Sequence, residues 1–268
     1  MIPLHAVGYG VLGVVVGVFG TLIGAGGGFL LLPALVLLNP QEPAATLTAI
    51  SLAIVCANAT SGSIAYARMR RIDYRSAVAF ALAGLPGSIL GAWSTQYLDR
   101  RLFDPLLGGV LIAGALVILL NPPREQVARD ARATRTLVER DGTVHAYTPR
   151  MGVGIAISVA VGFVSSLLGI GGGIIHVPVM VYVLGFPTHV ATATSHFVLA
   201  ILSLAGVIEH VREGTLLPAL GRIVPLAAGV LVGAPLGARL SSRIHGRWIM
   251  RGLAVALVVV GMRLLFVH

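Results

Sequence analysis

The chain has 268 residues, 56% of them hydrophobic and 11% charged, with a mean hydropathy of +0.92. That composition excludes an ordinary water-soluble domain and places the chain in a bilayer. The net charge of +9 rests on nineteen arginines and no lysine, and these arginines lie in loops between apolar segments, which argues against a nucleic-acid-binding face.

Apolar segments fall at about 5–24, 28–38, 44–66, 76–97, 105–120, 151–168, 173–184, 190–208, 217–238 and 249–267. Most approach the roughly 20 residues a helix needs to cross about 30 Å of hydrocarbon. Those at 28–38 and 173–184 are too short alone and read as half-helices joined to their predecessors through glycine. The expected fold is therefore all-α, a transmembrane bundle of eight to ten segments. No period-2 alternation runs through these segments, so none is assigned to strand. The first segment lacks the basic leader of a signal peptide and recurs later in the chain, so it is expected to be retained. The lone cysteine, Cys56, lies within an apolar run and reads as a small packing residue.

The chain repeats itself. "GAGGGFLLLP" at 24–33 aligns with "GIGGGIIHVP" at 169–178, "TAIS" at 48–51 with "TATS" at 192–195, and "GSILGA" at 87–92 with "GAPLGA" at 233–238. A duplicated half is the economical explanation: an N-terminal repeat over 1–120, an arginine-rich linker over 121–150 and a C-terminal repeat over 151–268. Cytoplasmic loops attract arginine, so the linker and the cluster Arg68, Arg70, Arg71 and Arg75 should face the cytoplasm. Five segments per half would invert the repeats, putting fourteen arginines inside and five outside (Arg100, Arg101, Arg212, Arg222 and Arg263), with both termini outside. Four per half would make them parallel and give thirteen to six, so inversion is favoured.

Isolated membrane glycines such as Gly13, Gly17, Gly108 and Gly114 read as close-packing positions. The triplets Gly26, Gly27, Gly28 and Gly171, Gly172, Gly173 differ, because close packing needs one small residue per turn, not three in succession. Unwound glycine backbone with a half-helix starting behind it offers free N–H groups and a positive dipole end, an anion site without a charged side chain. Polar side chains cluster nearby in sequence. Thr48, Ser51, Asn58, Thr60 and Ser61 lie in one segment, and Thr192, Thr194, Ser195, His196 and Ser203 in its counterpart. Such hydroxyls and amides either donate to substrate oxygens or bond between helices. His176 follows the second break, where its counterpart is Leu31, and could bond an anion, carry a proton or simply cap a carbonyl; His196 is similar. His189, His210 and His245 fall near segment ends. The ten acidic residues sit in loops or at segment ends, with Glu209 the innermost, which disfavours a cation substrate.

The paired glycine stretches, followed by "PTHVATATS" and "GAPLGA", resemble the TauE/SafE family of sulfite and organosulfonate exporters over nearly the whole chain apart from the linker. The resemblance implies a multi-pass inner-membrane permease that moves sulfite, sulfoacetate or related sulfur-containing anions, usually outward. It carries over to the two glycine stretches, Pro33, Pro178 and the "TATS" stretch. The first half departs by having "TAIS", so a fully symmetric site is not expected.

The partners expected are the small anion and the lipid bilayer, without nucleic acid, with a second copy of the chain left open. No cofactor is expected. A P-loop is excluded by the lack of lysine, "GAGGGF" does not complete a dinucleotide fingerprint, and no H-E-x-x-H occurs, while His176, His196 and His210 lack metal-ligand spacing. An intramembrane hydrolase using Ser51 or Ser195 with a histidine is the enzymatic alternative, and an anion channel for another small oxyanion or carboxylate the non-enzymatic one. The preferred expectation is a carrier with alternating access around a midplane site formed by Gly26, Gly27, Gly28, Ser51, Asn58, Gly171, Gly172, Gly173, His176, Thr194, Ser195 and His196.

Overall fold

The computed structural model describes residues 4–120, 133–244 and 246–266. The first half holds α1 (Leu4–Ile23), α2 (Gly28–Leu38), α3 (Ala44–Arg68), α4 (Tyr74–Ser94) and α5 (Arg100–Leu120). The second holds α6 (Met151–Leu167), α7 (Gly173–Pro178, continued by a wider turn over Val179–Val183), α8 (Thr188–Arg212), α9 (Leu220–Ser241) and α10 (Gly246–Phe266). Six stretches among the described residues are long and apolar enough to cross a bilayer: Ala6–Ile23, Ala44–Arg68, Tyr74–Tyr97, Arg100–Leu120, Thr188–Arg212 and Leu217–Ser241. The protein is a multi-pass membrane protein whose membrane-embedded segments are all helical.

Polar contacts between loops define the two ends of the bundle. Arg222 pairs with Glu42 (3.0 Å), and Arg100 donates to the Glu42 carbonyl (3.0 Å), gathering the α2–α3, α4–α5 and α8–α9 connections at one end. At the other end, the Asp73 N–H donates to Thr194 Oγ1 (3.1 Å), Arg71 donates to Ser241 Oγ (3.3 Å) and the Arg150 N–H to the Leu184 carbonyl (3.2 Å). This second end carries the clustered arginines. α3, α4, α5, α8, α9 and α10 thus run from end to end, and α3 is antiparallel to α8. The pairs α1–α2 and α6–α7 do not. α6 begins and α7 finishes at the arginine-rich end, so they form a re-entrant hairpin. α1 runs alongside α9 from the opposite end, where α2 finishes, so the two hairpins enter from opposite sides.

Each half packs through the other. α1 lies on α9 and α6 on α4, α3 pairs with α8, and α5 with α10. Glycine makes these approaches close. A Cβ on Gly87 or Gly91 would sit well inside contact distance of the Val159 or Phe163 carbonyl, and one on Gly233 or Gly237 would overlap the Val14 or Val18 carbonyl in the same way. The repeated motifs at 87–92 and 233–238 are therefore helix-crossing surfaces, as are Gly13 and Gly17 against α9.

The second part of the linker folds as a two-stranded hairpin, β1 (Arg135–Val138) with β2 (Val144–Tyr147), antiparallel with Arg135 opposite Tyr147. Its turn contains Asp141-Gly142, with Gly142 at φ 89°, the signature that fixes a tight hairpin. The linker residues Arg124, Arg129 and Arg132, and His245 near a segment end, lie outside the described residues. The hairpin caps the arginine-rich end through contacts of its charged and aromatic side chains. Buried Arg71 pairs with buried Glu139, Arg135 pairs with Asp73 (2.5 Å), and the Tyr147 hydroxyl donates to Asp73 (2.9 Å). Burial alone would raise the Asp73 carboxyl, but hydrogen bonds from Ser76, Arg135 and Tyr147 outweigh it and hold the group below the ordinary carboxylate range. Glu139 behaves alike: burial is overcome by hydrogen bonds from His145 and Arg71 and by the Arg71 charge.

Two outcomes are expected from this packing. Gly87→Ala should cost about 1–3 kcal/mol through backbone overlap, while Gly109→Ala, with nothing within 4 Å, should be neutral or slightly stabilising. Thermal unfolding in detergent compares them. Because the Asp73 carboxyl is held low in the folded state, its contribution is complete above the unfolded carboxyl value of about 4. It is lost as pH falls through the lowered folded value, so Asp73→Asn should lower the unfolding midpoint at pH 7 and flatten its decline below about pH 4.

Candidate functional site

The site is built from two breaks in helices that would otherwise be continuous. At the first, Gly24, Gly26 and Gly27 take φ of 82°, 72° and 82°; at the second, Gly169, Gly171 and Gly172 take 63°, 79° and 66°. These are left-handed conformations in which a side chain is strained, so the first two glycines of each triplet are required by the backbone. The third is required by space. Gly28 begins α2 against the Ile170 carbonyl carbon (2.7 Å from a built Cβ), and Gly173 begins its own helix against the Ala25 backbone. The tips of the two hairpins thus cross at the centre of the bundle.

The breaks leave polar backbone exposed inside the protein. The N–H groups of Gly24, Ala25 and Gly26 share the Gly20 carbonyl, while those of Gly27 and Gly172 have no backbone acceptor. In the first turns of α2 and α7 the cap carbonyls of Gly27 and Gly172 take the N–H groups of Leu30, Leu31, Ile175 and His176, so only those of Gly28, Phe29 and Ile174 are left without a backbone acceptor. Side chains from the opposite half hold the carbonyls: Ser51 Oγ donates to the Gly169 carbonyl (2.6 Å) and Ser195 Oγ to the Gly24 carbonyl (3.4 Å). The serines of the repeated "TAIS" and "TATS" are therefore reciprocal latches. Neither has a histidine as its partner, so the nucleophile–base pair needed by the hydrolase alternative is not formed in this arrangement.

Asn58 and His196 join the same centre through Thr21 of α1. The Tyr66 hydroxyl donates to the Thr21 carbonyl (2.7 Å), and Thr21 Oγ1 donates to Asn58 Oδ1 (2.9 Å). His196 Nε2 lies 3.3 Å from Thr21 Oγ1. The tautomer sets which ring nitrogen donates in this contact, and the ring also faces the backbone of Gly24 and Asn58. Asn58 Nδ2 and His196 Nδ1 are both buried without a partner, and Asn58 Nδ2 stands 2.7 Å from where Gly20 would carry a Cβ. Gly62 leaves the room that the imidazole occupies.

Two of the twelve expected residues sit elsewhere. Thr194 faces the Asp73 backbone at the arginine-rich end. His176 packs edge-on against Phe80 (5.6 Å between centroids), with Nε2 3.4 Å from Ser158 Oγ, between α4 and α6. Helical rotation decides both outcomes, since Thr194 is one residue from Ser195 and three from the break is a different face for His176. The sequence reading passed over Thr21 and Tyr66, although a threonine three residues ahead of the first break was a legible signal. Among the described residues no group of three or more His, Cys, Asp or Glu side chains could hold a metal ion.

In this conformation the centre is closed. Gly24 to Gly28 and Gly169 to Gly173 are buried, and Val55 and Leu199, from α3 and α8, each lie against both Gly26 and Gly171. Paired re-entrant hairpins meeting at enclosed, donor-rich backbone define a class: a polytopic membrane transporter. The comparisons agree and go further. The chain belongs to the sulfite exporter TauE/SafE family, whose profile matches residues 9–264. It is 30% identical to the probable membrane transporter protein YunE of Bacillus subtilis, over 96% of both chains. It is 28% identical to the probable membrane transporter protein y4hK of Sinorhizobium fredii over 76% of each chain, and 25% identical to MJ0441 of Methanocaldococcus jannaschii over 76% of this chain and 72% of that one. No solved structure matches.

Gly27 and Gly185 share a φ near 80°, but a Cβ on Gly27 would meet Val16 at 2.5 Å, whereas Gly185 has its nearest neighbour at 3.5 Å. Gly27→Ala should therefore lower the unfolding midpoint by more than Gly185→Ala. Both pay about 1 kcal/mol of backbone strain, and the excess, read by thermal unfolding, measures the close approach of α1.

Proposed function

We propose that the protein is a secondary carrier that exports sulfur-containing anions such as sulfite, sulfoacetate or other organosulfonates across the inner membrane. The observation that carries this reading is the pair of crossed glycine loops whose N–H groups at Gly27 and Gly172 lack acceptors at the centre of the bundle. Free N–H groups at half-helix N-termini suit a small oxyanion and repel a cation. The Asn58 amide adds two donors beside the first loop. The His196 imidazole stands beside the same loop, and Ser51 and Ser195 can turn from carbonyl to substrate as the loops shift.

The halves act as inverted repeats in this reading, supported by the antiparallel run of α3 and α8 and by hairpins that enter from opposite ends. The arginine-rich end is then cytoplasmic, with the fourteen arginines there against five opposite. Alternating access follows if the hairpins rock as units about their crossing. Val55 and Leu199 must part to admit substrate, and their closure over the loops favours a gated carrier over a standing anion pore.

The test is uptake of labelled sulfite, sulfoacetate, taurine and chloride into proteoliposomes. Saturable uptake of sulfite or a sulfonate, without chloride, is expected. Asn58→Leu and Gly172→Leu, shown to be folded, should reduce it at least tenfold, whereas His176→Ala should stay within about threefold, since loss of one charge-assisted hydrogen bond is worth about tenfold or more. Normal transport by folded Gly172→Leu would refute the site. Uptake that rises linearly without saturation would refute the carrier.

A further inference from the structure

A second polar cavity lies outside the centre, at the arginine-rich end, where the turn of the linker hairpin meets the last turns of α3 and α9. It is a pocket of about 440 Å³, half open to the surface, and its lining includes the exposed Arg68, Arg140 and Arg239 and the buried Arg71, with the acidic Glu139 and Asp141. The carboxylates are already engaged. Glu139 receives Arg71 and His145, and Asp141 accepts the Thr143 N–H (3.0 Å). Arg71 is spent on Glu139 and Ser241. Arg68, Arg140 and Arg239 have no carboxylate partner among the described residues.

Helix termini account for only part of this arrangement. Arg68 and Arg239 stand in the last turns of α3 and α9, where the negative dipole ends favour a cation. Arg140 belongs to no helix. Its backbone N–H donates to the Met69 carbonyl (3.0 Å), which docks the hairpin turn onto the end of α3 and carries a third guanidinium to the same cavity. Arg70, at φ 57°, ends α3 in a left-handed turn that sends Arg71 inward and leaves Arg68 facing the cavity side. The remaining wall is formed by the apolar Ala65, Met69 and Pro235 with Ser242. Three unpaired forked cations beside an apolar wall match an oxyanion head on a short carbon group.

We infer that this cavity is a second anion-binding site, which takes an organic oxyanion, a sulfonate or a phosphate ester, through Arg68, Arg140 and Arg239. The site stands apart from the transport reading, because equilibrium binding detects it without any flux. Two sources supply the chemistry: a free organic anion, or the phosphate of a lipid headgroup.

The experiment is equilibrium dialysis of labelled methanesulfonate and methyl phosphate against the full chain in nanodiscs of neutral phosphatidylcholine. Saturable binding is expected. Arg140→Gln should weaken it on the order of tenfold, and the double variant Arg68→Gln/Arg239→Gln should abolish it, with the anion-free unfolding midpoint of each unchanged. Gly172→Leu should leave it intact. Discs containing anionic phosphatidylglycerol identify the source: weaker apparent binding there assigns the site to a lipid phosphate, and unchanged binding to a free anion. The inference is overturned if the wild type binds neither probe in neutral discs, if the arginine variants bind as tightly as wild type, or if Gly172→Leu alone removes binding.

Discussion

Backbone that leaves the helix inside a hydrocarbon layer has no water to satisfy it, so it persists only where protein encloses it on every side. This protein has two such stretches, and most of its architecture answers to them. α3 and α8 wall them in, and Ser51 and Ser195 each bond a carbonyl of the opposite half's loop. Neither break could be enclosed by its own half. Each tip reaches into the other half, Gly169 to Thr48 and Gly24 to Thr192, and this mutual enclosure is what makes the duplication structurally necessary.

The same demand explains where glycine is placed. Six glycines in the breaks supply left-handed backbone, and others let helices of opposite halves touch backbone to backbone. These crossings bring α1 onto α9 and α6 onto α4, so the repeats interlock instead of lying side by side.

Symmetry in the scaffold does not extend to the polar groups. Thr21, Asn58 and His196 gather on the first loop, but their counterparts in the second half are Ser166, Leu202 and Leu52. There Ser166 bonds Ser88 (2.7 Å) and the network closes on itself, with Ser88 reaching the Leu202 carbonyl. The two loops thus carry different polar neighbours: Asn58 and His196 beside the first, and Thr48, whose Oγ1 is also buried without a partner, beside the second. At the arginine-rich end the linker hairpin adds a further asymmetry, because the opposite end has no such cap among the described residues.

Much of this was legible in the sequence. Ten apolar stretches marked the ten helices to within a few residues, since hydropathy and length are local properties. The offset repeat and its glycine triplets marked the two breaks, because left-handed backbone selects a residue type whatever its surroundings. The structure brings glycines 26–28 and 171–173, both serines, Asn58 and His196 together. Tertiary structure alone decided the rest. A residue's neighbours depend on helix rotation and on which half it meets, so Thr194 and His176 turned away while Thr21 and Tyr66 turned in. That the serines bond the other half's carbonyls, and that a hairpin in a hydrophilic linker carries Arg140 to the ends of α3 and α9, follows from contacts between residues distant in the chain. No local pattern encodes such contacts; they exist only once the two halves have closed around each other.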